Sequence, residues 1–418
     1  MSLKKFNLEP DSPAERTYAL ELRRSVAAGI LETAGTTFLL LIAVRWFEMG
    51  PTAKALIAGG GNVGLLLAPL ALYFVSHLGM SASRAAAVGF AFSALATLGA
   101  TLFPGPQSFV LLNVLAIACW NSCVPFFTQV YHENYPDSLR GRLFARTYNV
   151  RVLSSILFGA LAGYALSGRL QFFQLLLLVY AGCFAYSALC MFRIRSSAPN
   201  QGHGETLTGG FRFILEDTFF RNTLICWMIM GFGNLMMWPL RVEYLAAEKY
   251  GLNLSTTEVA LFIVVLPNIA RVLMNPLWGR LFDRIDFQYT RLLANLGFVF
   301  GVLAFFFSDN MLGLSLGAVC YGIGISGGDI TWNLWITKCA PVSRAAAYMS
   351  VHTCLTGLRA VIAPFVAFYL ITGMSITNVA WISAGMILFA NVFLFLPGSR
   401  LPGQNRSGSP SVEAGPEL

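Results

Sequence analysis

The sequence predicts an all-α membrane protein of twelve transmembrane helices in two pseudo-symmetric six-helix bundles, and three observations predict it. About a dozen apolar stretches run from Ser25 to Leu396, each roughly the 20 residues that one helical crossing of a bilayer requires. Charged residues make up 11% of the chain and hydrophobic ones 56%, against the ~25% charged of a soluble domain. No period-2 alternation marks the apolar stretches. Of the two structures that satisfy backbone hydrogen bonds within lipid, helices and closed barrels, the pattern therefore selects helices.

The crossings fall at about 24–47, 51–76, 84–103, 107–131, 143–167, 170–192, 219–242, 257–280, 288–308, 311–337, 346–371 and 376–396. Breaks between them carry turn chemistry: Gly50-Pro51, Pro104-Gly105-Pro106, Ser167-Gly168, Ser308-Asp309-Asn310 and Gly373. Ser255 and Glu258 form a capping box that opens the eighth crossing. Gly159 and Gly163, four apart in the fifth, allow a second helix to approach closely. The polar residues 1–23 form a cytoplasmic segment whose composition is not that of a cleaved signal peptide, so the first crossing is expected to stay as an anchor. Residues 24–193 are the first bundle and 219–397 the second. Between them, 194–218 read as a flexible cytoplasmic linker ending in a short interfacial helix, Phe211 to Glu216. Residues 398–418, rich in Pro, Gly and Ser, read as a disordered cytoplasmic tail.

Charge fixes the orientation. With the N-terminus inside, twenty of the 28 Lys and Arg lie on interior segments, five lie on exterior loops and helix ends, and Arg151, Arg271 and Arg359 lie deeper. This bias puts both termini in the cytoplasm and requires an even number of crossings, as in a bacterial-type inner membrane. The net charge of +8 is thereby a topological signal, not a nucleic-acid surface. The eight cysteines all sit in or at the ends of apolar stretches and imply no disulfide framework. Cys119 and Cys123 share a helix face without His or carboxylate neighbours, so no metal site is expected. The Gly59–Gly64 run lacks the lysine of a phosphate loop and lies in an apolar helix. No nucleophile triad or nucleotide site appears. Neither an enzyme nor a cofactor is expected, and the chain is expected to be a monomer whose partners are the bilayer, a small solute and the proton.

The two halves repeat features. Pro136 is followed by Arg140 and Arg142 after crossing 4, and Pro341 by Arg344 after crossing 10, each time just before the next helix. After crossing 8 comes Gly279-Arg280-Leu281-Phe282-Asp283-Arg284-Ile285-Asp286. This resembles the G-x-x-x-D-R-x-G signature of the major facilitator superfamily, with Gly279, Asp283 and Arg284 in register and Asp286 in place of the second Gly. In the first half Gly79 fits the second Gly, but Leu72, Ser76 and His77 stand where Gly, Asp and Arg would be. The resemblance covers residues ~20–397 and implies a secondary transporter working by alternating access between two rocking bundles. It further implies a cytoplasmic gate of Gly279, Asp283, Arg284, Arg140, Arg142 and Arg344. In that gate Gly279 permits close helix approach and Asp283 pairs with an arginine of the other half, near Arg140, Arg142 or Arg146. The Gly-Pro pair of the family's drug antiporters is missing near Gly159.

An ionisable group in a crossing is costly unless paired or wet, which makes it a functional candidate. Glu32, Arg151, Arg271, Asp329 and Arg359 qualify, and helical spacing extends them into polar stripes. Asn268, Arg271 and Asn275 align on crossing 8; Ser326, Asp329 and Asn333 on crossing 10; His352, Thr356 and Arg359 on crossing 11. Trp227, Asn234, Trp238 and Arg241 align on crossing 7. On crossing 4, Asn113 and Trp120 align beside Asn121. Crossings 3, 6, 9 and 12 are plain apolar, as the lipid-facing helices of the resembled family are. The substrate-binding candidates are Asn113, Trp120, Asn121, Trp227, Asn234, Asn268, Arg271, Asp329, Asn333, His352 and Arg359. Glu32 and Asp329 are the proton-coupling candidates. Structural alternatives stay open: Glu32 can simply pair with Arg151, and Asp329 with an arginine as a brace. The deep arginines outnumber the deep carboxylates by one, which would suit an anionic solute. A lipid or lysolipid flippase and a non-transporting receptor or scaffold are the alternative functions.

Overall fold

The computed structural model describes residues 12–198, 209–339 and 345–397, and among these every regular element is helical. We number the crossings in chain order. Helix α1 runs Pro13–Thr33, widens into a π turn at Ala34–Phe38 and continues as Leu39–Arg45. Helix α2 is Pro51–Leu66 joined to Ala68–His77 at a bend of 44°, and α3 is Ala82–Leu102. Helix α4 is Pro106–Ser122 continued by Val124–Asn134, α5 is Asp137–Leu166 and α6 is Phe173–Arg193. After a short turn at Phe213–Glu216, α7 is Thr218–Ala246. Helix α8 is Thr256–Ala260, a second π turn at Leu261–Val265, and Leu266–Arg284. Helices α9 Phe287–Phe306, α10 Met311–Cys339, α11 Ala345–Gly373 and α12 Ile376–Ala390 complete the set. Eleven of these are long and apolar enough to cross a membrane, and the bent α2 makes the twelfth.

Local chemistry starts the helices where the sequence reading put them. Pro51 and Pro106 take the first helical position, where a missing N–H costs nothing. The Ser255–Glu258 capping box is present in both directions, and the Asp217 carboxylate accepts from Phe220 N at 2.9 Å. The breaks inside α2 and α4 were not foreseen. Pro69 and Pro125 each lie just inside the second segment, and a ring there cannot donate into the preceding turn.

Large apolar side chains of α3, α6, α9 and α12 remain exposed, Leu95, Leu189, Phe300 and Phe389 among them. These are the surfaces that face acyl chains. The bundles meet along α5–α8, α2–α11 and α1–α7, and the two π turns lie against each other across that interface. The Gly159 and Gly163 spacing acts there. A Cβ on Gly163 would stand 2.6 Å from Ala260 Cβ, and one on Gly159 2.7 Å from Val264 Cγ1. The small residues thus let α5 and α8 touch across the two halves. Residues 398–418, read as a disordered tail, lie outside the described residues.

Candidate functional site

One ionic network joins the two bundles near the middle of their helices. Glu32 stands on α1 just before the π turn, and Thr36 Oγ1 donates to its backbone carbonyl at 2.9 Å. Its carboxylate receives Arg151 Nε of α5 at 2.7 Å and Arg271 Nη1 of α8 at 3.2 Å. Arg271 reaches onward: its Nη2 lies 2.6 Å from Asp329 Oδ2 on α10. Tyr148 of α5 donates to the same oxygen at 3.0 Å and places its ring 5.0 Å below the Arg271 guanidinium. Asn268 Oδ1 accepts from Arg271 Nη1 at 3.3 Å. The chain of contacts runs from the first bundle (Glu32, Tyr148, Arg151) to the second (Arg271, Asp329). Two carboxylates meet two guanidiniums, so its charges cancel. The polar stripes predicted on α8 and α10 do face one another, since Ser326 Oγ also donates to Asn275 Oδ1 at 2.6 Å.

The network is half wet. Asp329 keeps 37% and Arg151 35% of their side-chain surface exposed, despite their depth in the sequence of each crossing. Water does not come from the face where α1 ends and α2 begins, here called the distal face. There Val259, Ala260, Val264, Leu245 and Ala55 are buried, and a clasp closes the seam. Lys54 Nζ donates to both oxygens of Glu243 at 2.8 Å, and Lys249 Nζ lies 3.3 Å from the same carboxylate. Glu243 is 1% exposed. Arg45 Nε donates to Ala246 O at 3.0 Å and its Nη2 to Leu254 O, while Thr52 and Tyr369 share a hydroxyl hydrogen bond of 2.6 Å. The opposite face is the one where the described chain begins and ends.

The other predicted residues are scattered. Asn113 Nδ2 donates to Phe109 O of its own helix at 2.8 Å, and Trp120 packs on Phe184 of α6. Asn121 donates to Gly61 O of α2 at 3.1 Å. All three act inside the first bundle and not at the network. Trp227, His352 and Arg359 are buried inside the second bundle, where Arg359 Nη1 donates to Trp227 O, so Arg271 and Arg359 are not brought together. Asn234 is buried with Oδ1 unpartnered.

Only part of the predicted cytoplasmic gate lies among the described side chains. Gly279 permits no close approach here, since a Cβ on it would meet nothing within 4 Å. Arg140 Nη2 donates to His132 O at 3.2 Å and Tyr135 O at 3.4 Å, holding the end of α4. Arg142 and Arg284 are exposed. Arg344 lies outside the described residues, and of Asp283 and Asn333 only the helical backbone is described. Tyr148 and the clasp of Lys54, Lys249 and Glu243 were not foreseen from the sequence. A carboxylate in the last turn of α7 facing a lysine early in α2 was the available signal.

Twelve apolar helices, counting the bent pair as one, surround a charged and partly exposed network where the two bundles meet. Residues 223–416, short of half of the chain, match the sequence model described as Major Facilitator Superfamily. Similar solved structures include the nucleoside transporter NupG, 12% identical, covering 90% of this chain and 98% of that one at a TM-score of 0.71. The D-xylose-proton symporter is 13% identical, covering 92% and 98% at a TM-score of 0.70. A bacterial homologue of the human lysosomal transporter Spinster, in its inward-facing and occupied conformation, is 13% identical, covering 93% and 97% at 0.66. Likeness at this identity concerns the fold. No curated protein matches the sequence significantly.

Proposed function

We propose that the protein is a proton-coupled secondary transporter for a small neutral polar solute, working by alternating access. The observation that carries this reading is the network of Arg151, Glu32, Arg271 and Asp329, charge-balanced among the described residues, spanning both bundles and partly exposed at Arg151 and Asp329. A balanced site has no surplus charge to hold an anion, which turns the reading away from an anionic solute. Its two carboxylates share Arg271. Protonating either one frees the guanidinium to lean on the other, and the bundles are tied differently in the two cases. A solute that hydrogen-bonds to the freed groups then couples its own binding to the proton. Fold likeness to a nucleoside transporter and a xylose–proton symporter supports nucleosides and monosaccharides as the first solutes to try.

The Lys and Arg bias supports a cytoplasmic position for the face holding the ends of the described chain, and on that reading the clasp closes the outward side. The chain acts as a monomer, each copy enclosing its own pathway. The test is uptake of labelled nucleosides and monosaccharides into proteoliposomes under an imposed proton gradient. Accumulation above the outside concentration, abolished by a protonophore, is expected for one of these solutes. Uptake that only equilibrates, whatever the gradient, contradicts proton coupling.

A further inference from the structure

The second bundle buries positive charge that nothing in the described structure neutralises. Arg291 of α9 is 1% exposed, Arg359 of α11 5% and His352 of α11 1%. All three lie within electrostatic range of one another. Among the described residues no carboxylate pairs with either arginine. Arg291 Nη1 donates to Thr331 Oγ1 at 3.0 Å, its Nη2 lies 3.1 Å from Met230 Sδ, and its plane stacks on the Trp227 ring at 3.8 Å. Arg359 donates one Nη1 bond to the carbonyl of that same Trp227, and it finds room because Gly231, one turn on, has no side chain. His352 sits 5.3 Å, centroid to centroid, from both Trp227 and Trp335.

What remains unsatisfied in this cluster is mostly donors. Arg291 Nε, Arg359 Nε, both His352 nitrogens and the indole N–H groups of Trp227 and Trp335 are buried without partners. An isolated buried ion is costly even after relaxation, and each unmet buried donor adds a desolvation penalty. Two guanidiniums held this way call for a counter-charge that accepts hydrogen bonds from several directions. Enclosure by three tryptophan and histidine rings limits its size.

We propose that the Arg291–Arg359–His352 cluster is a binding site for a compact monovalent inorganic anion, chloride or nitrate in size and charge, built into the core of the second bundle. The anion would neutralise the arginine pair and accept the orphaned N–H groups. It would brace α7, α9, α10 and α11 against one another. The site is separate from the inter-bundle network and does not depend on the transport reading, because its readout is stability and occupancy, not flux.

The experiment uses the full-length protein purified in detergent, with thermal unfolding followed in sodium gluconate, chloride, nitrate and sulfate at constant ionic strength. Chloride or nitrate is expected to raise Tm saturably by several degrees over gluconate, and Arg359→Gln to remove that concentration dependence. An identical Tm in gluconate, chloride and nitrate overturns the proposal. So does an unchanged chloride dependence in R359Q. A saturable rise with sulfate alone overturns the assignment to a monovalent guest. If R359Q does not fold, the wild-type protein still decides: crystals grown in bromide should show an anomalous peak between the two arginines, and ordered side chains with no peak there contradict the site.

Discussion

The inter-bundle network and the core of the second bundle hold the same kinds of groups and solve the problem of buried charge in opposite ways. In the network each guanidinium has a carboxylate, and Asp329 keeps 37% of its side-chain surface in contact with solvent. In the core, two arginines at 1% and 5% exposure face aromatic rings, a thioether and a carbonyl. A paired, half-wet group can change partners at modest cost. A dry, unpaired one is held in place, and only a guest can settle its charge. The comparison assigns moving parts to the first region and a fixed scaffold to the second.

The sharpest way to break this contrast is to remove one arginine from each region. Arg271→Gln leaves Glu32 and Asp329 facing each other without their shared cation. It should cost about 3–5 kcal/mol, the range for truncating one partner of a buried ion pair, and should abolish transport. Arg359→Gln removes a charge with no carboxylate partner among the described residues, and in gluconate free of chloride and nitrate it should cost far less or stabilise. Unfolding of both variants in one detergent checks the ordering, and equal losses would erase the distinction between the regions.

Next in size is the distal clasp. Glu243→Gln leaves Lys54 and Lys249 without their carboxylate, and the protein should then open toward the distal face. A cysteine placed at Ala55, which is fully buried in the clasped form, should be labelled by a membrane-impermeant maleimide at least several-fold faster from that side. Gly163→Val drives a side chain into Ala260, 2.6 Å from where its Cβ would stand. Overpacking of this kind costs about 1–3 kcal/mol, and here it should raise the same labelling rate by separating α5 from α8. The smallest effect is expected from Asn113→Leu, because the Asn113 amide only serves Phe109 O of its own helix. Uptake should stay within about twofold of wild type, a free-energy change below 0.5 kcal/mol.

Much of this was legible in the sequence. Spacing of three and four set Asn268, Arg271 and Asn275 on one face and Ser326 and Asp329 on another, and the structure brings those stripes together through Arg271–Asp329 and Ser326–Asn275. Glu32 beside Arg151 was readable from depth alone. The bond from Arg271 to Glu32 was not, because it crosses the bundle interface and no periodicity within one helix reports on a partner 239 residues away. Arg291 was not among the deep arginines of the sequence analysis. It lies one turn inside α9, and one turn is below the precision with which an apolar run locates a helix end. The π turns at Ala34–Phe38 and Leu261–Val265 were also invisible, since one extra residue per turn leaves no mark on composition. The predicted substrate set joined Arg271 with Arg359 because both sit near mid-membrane by count, and depth says nothing of azimuth.

The central claim is that Glu32 links proton movement to the rocking of the bundles through Arg271. Glu32→Gln in proteoliposomes tests it most directly, with gradient-driven accumulation and solute counterflow measured side by side on the solute that the wild-type protein carries. Accumulation should be lost and counterflow kept within a few-fold of wild type. Accumulation that survives the substitution, or both activities falling together, would contradict it.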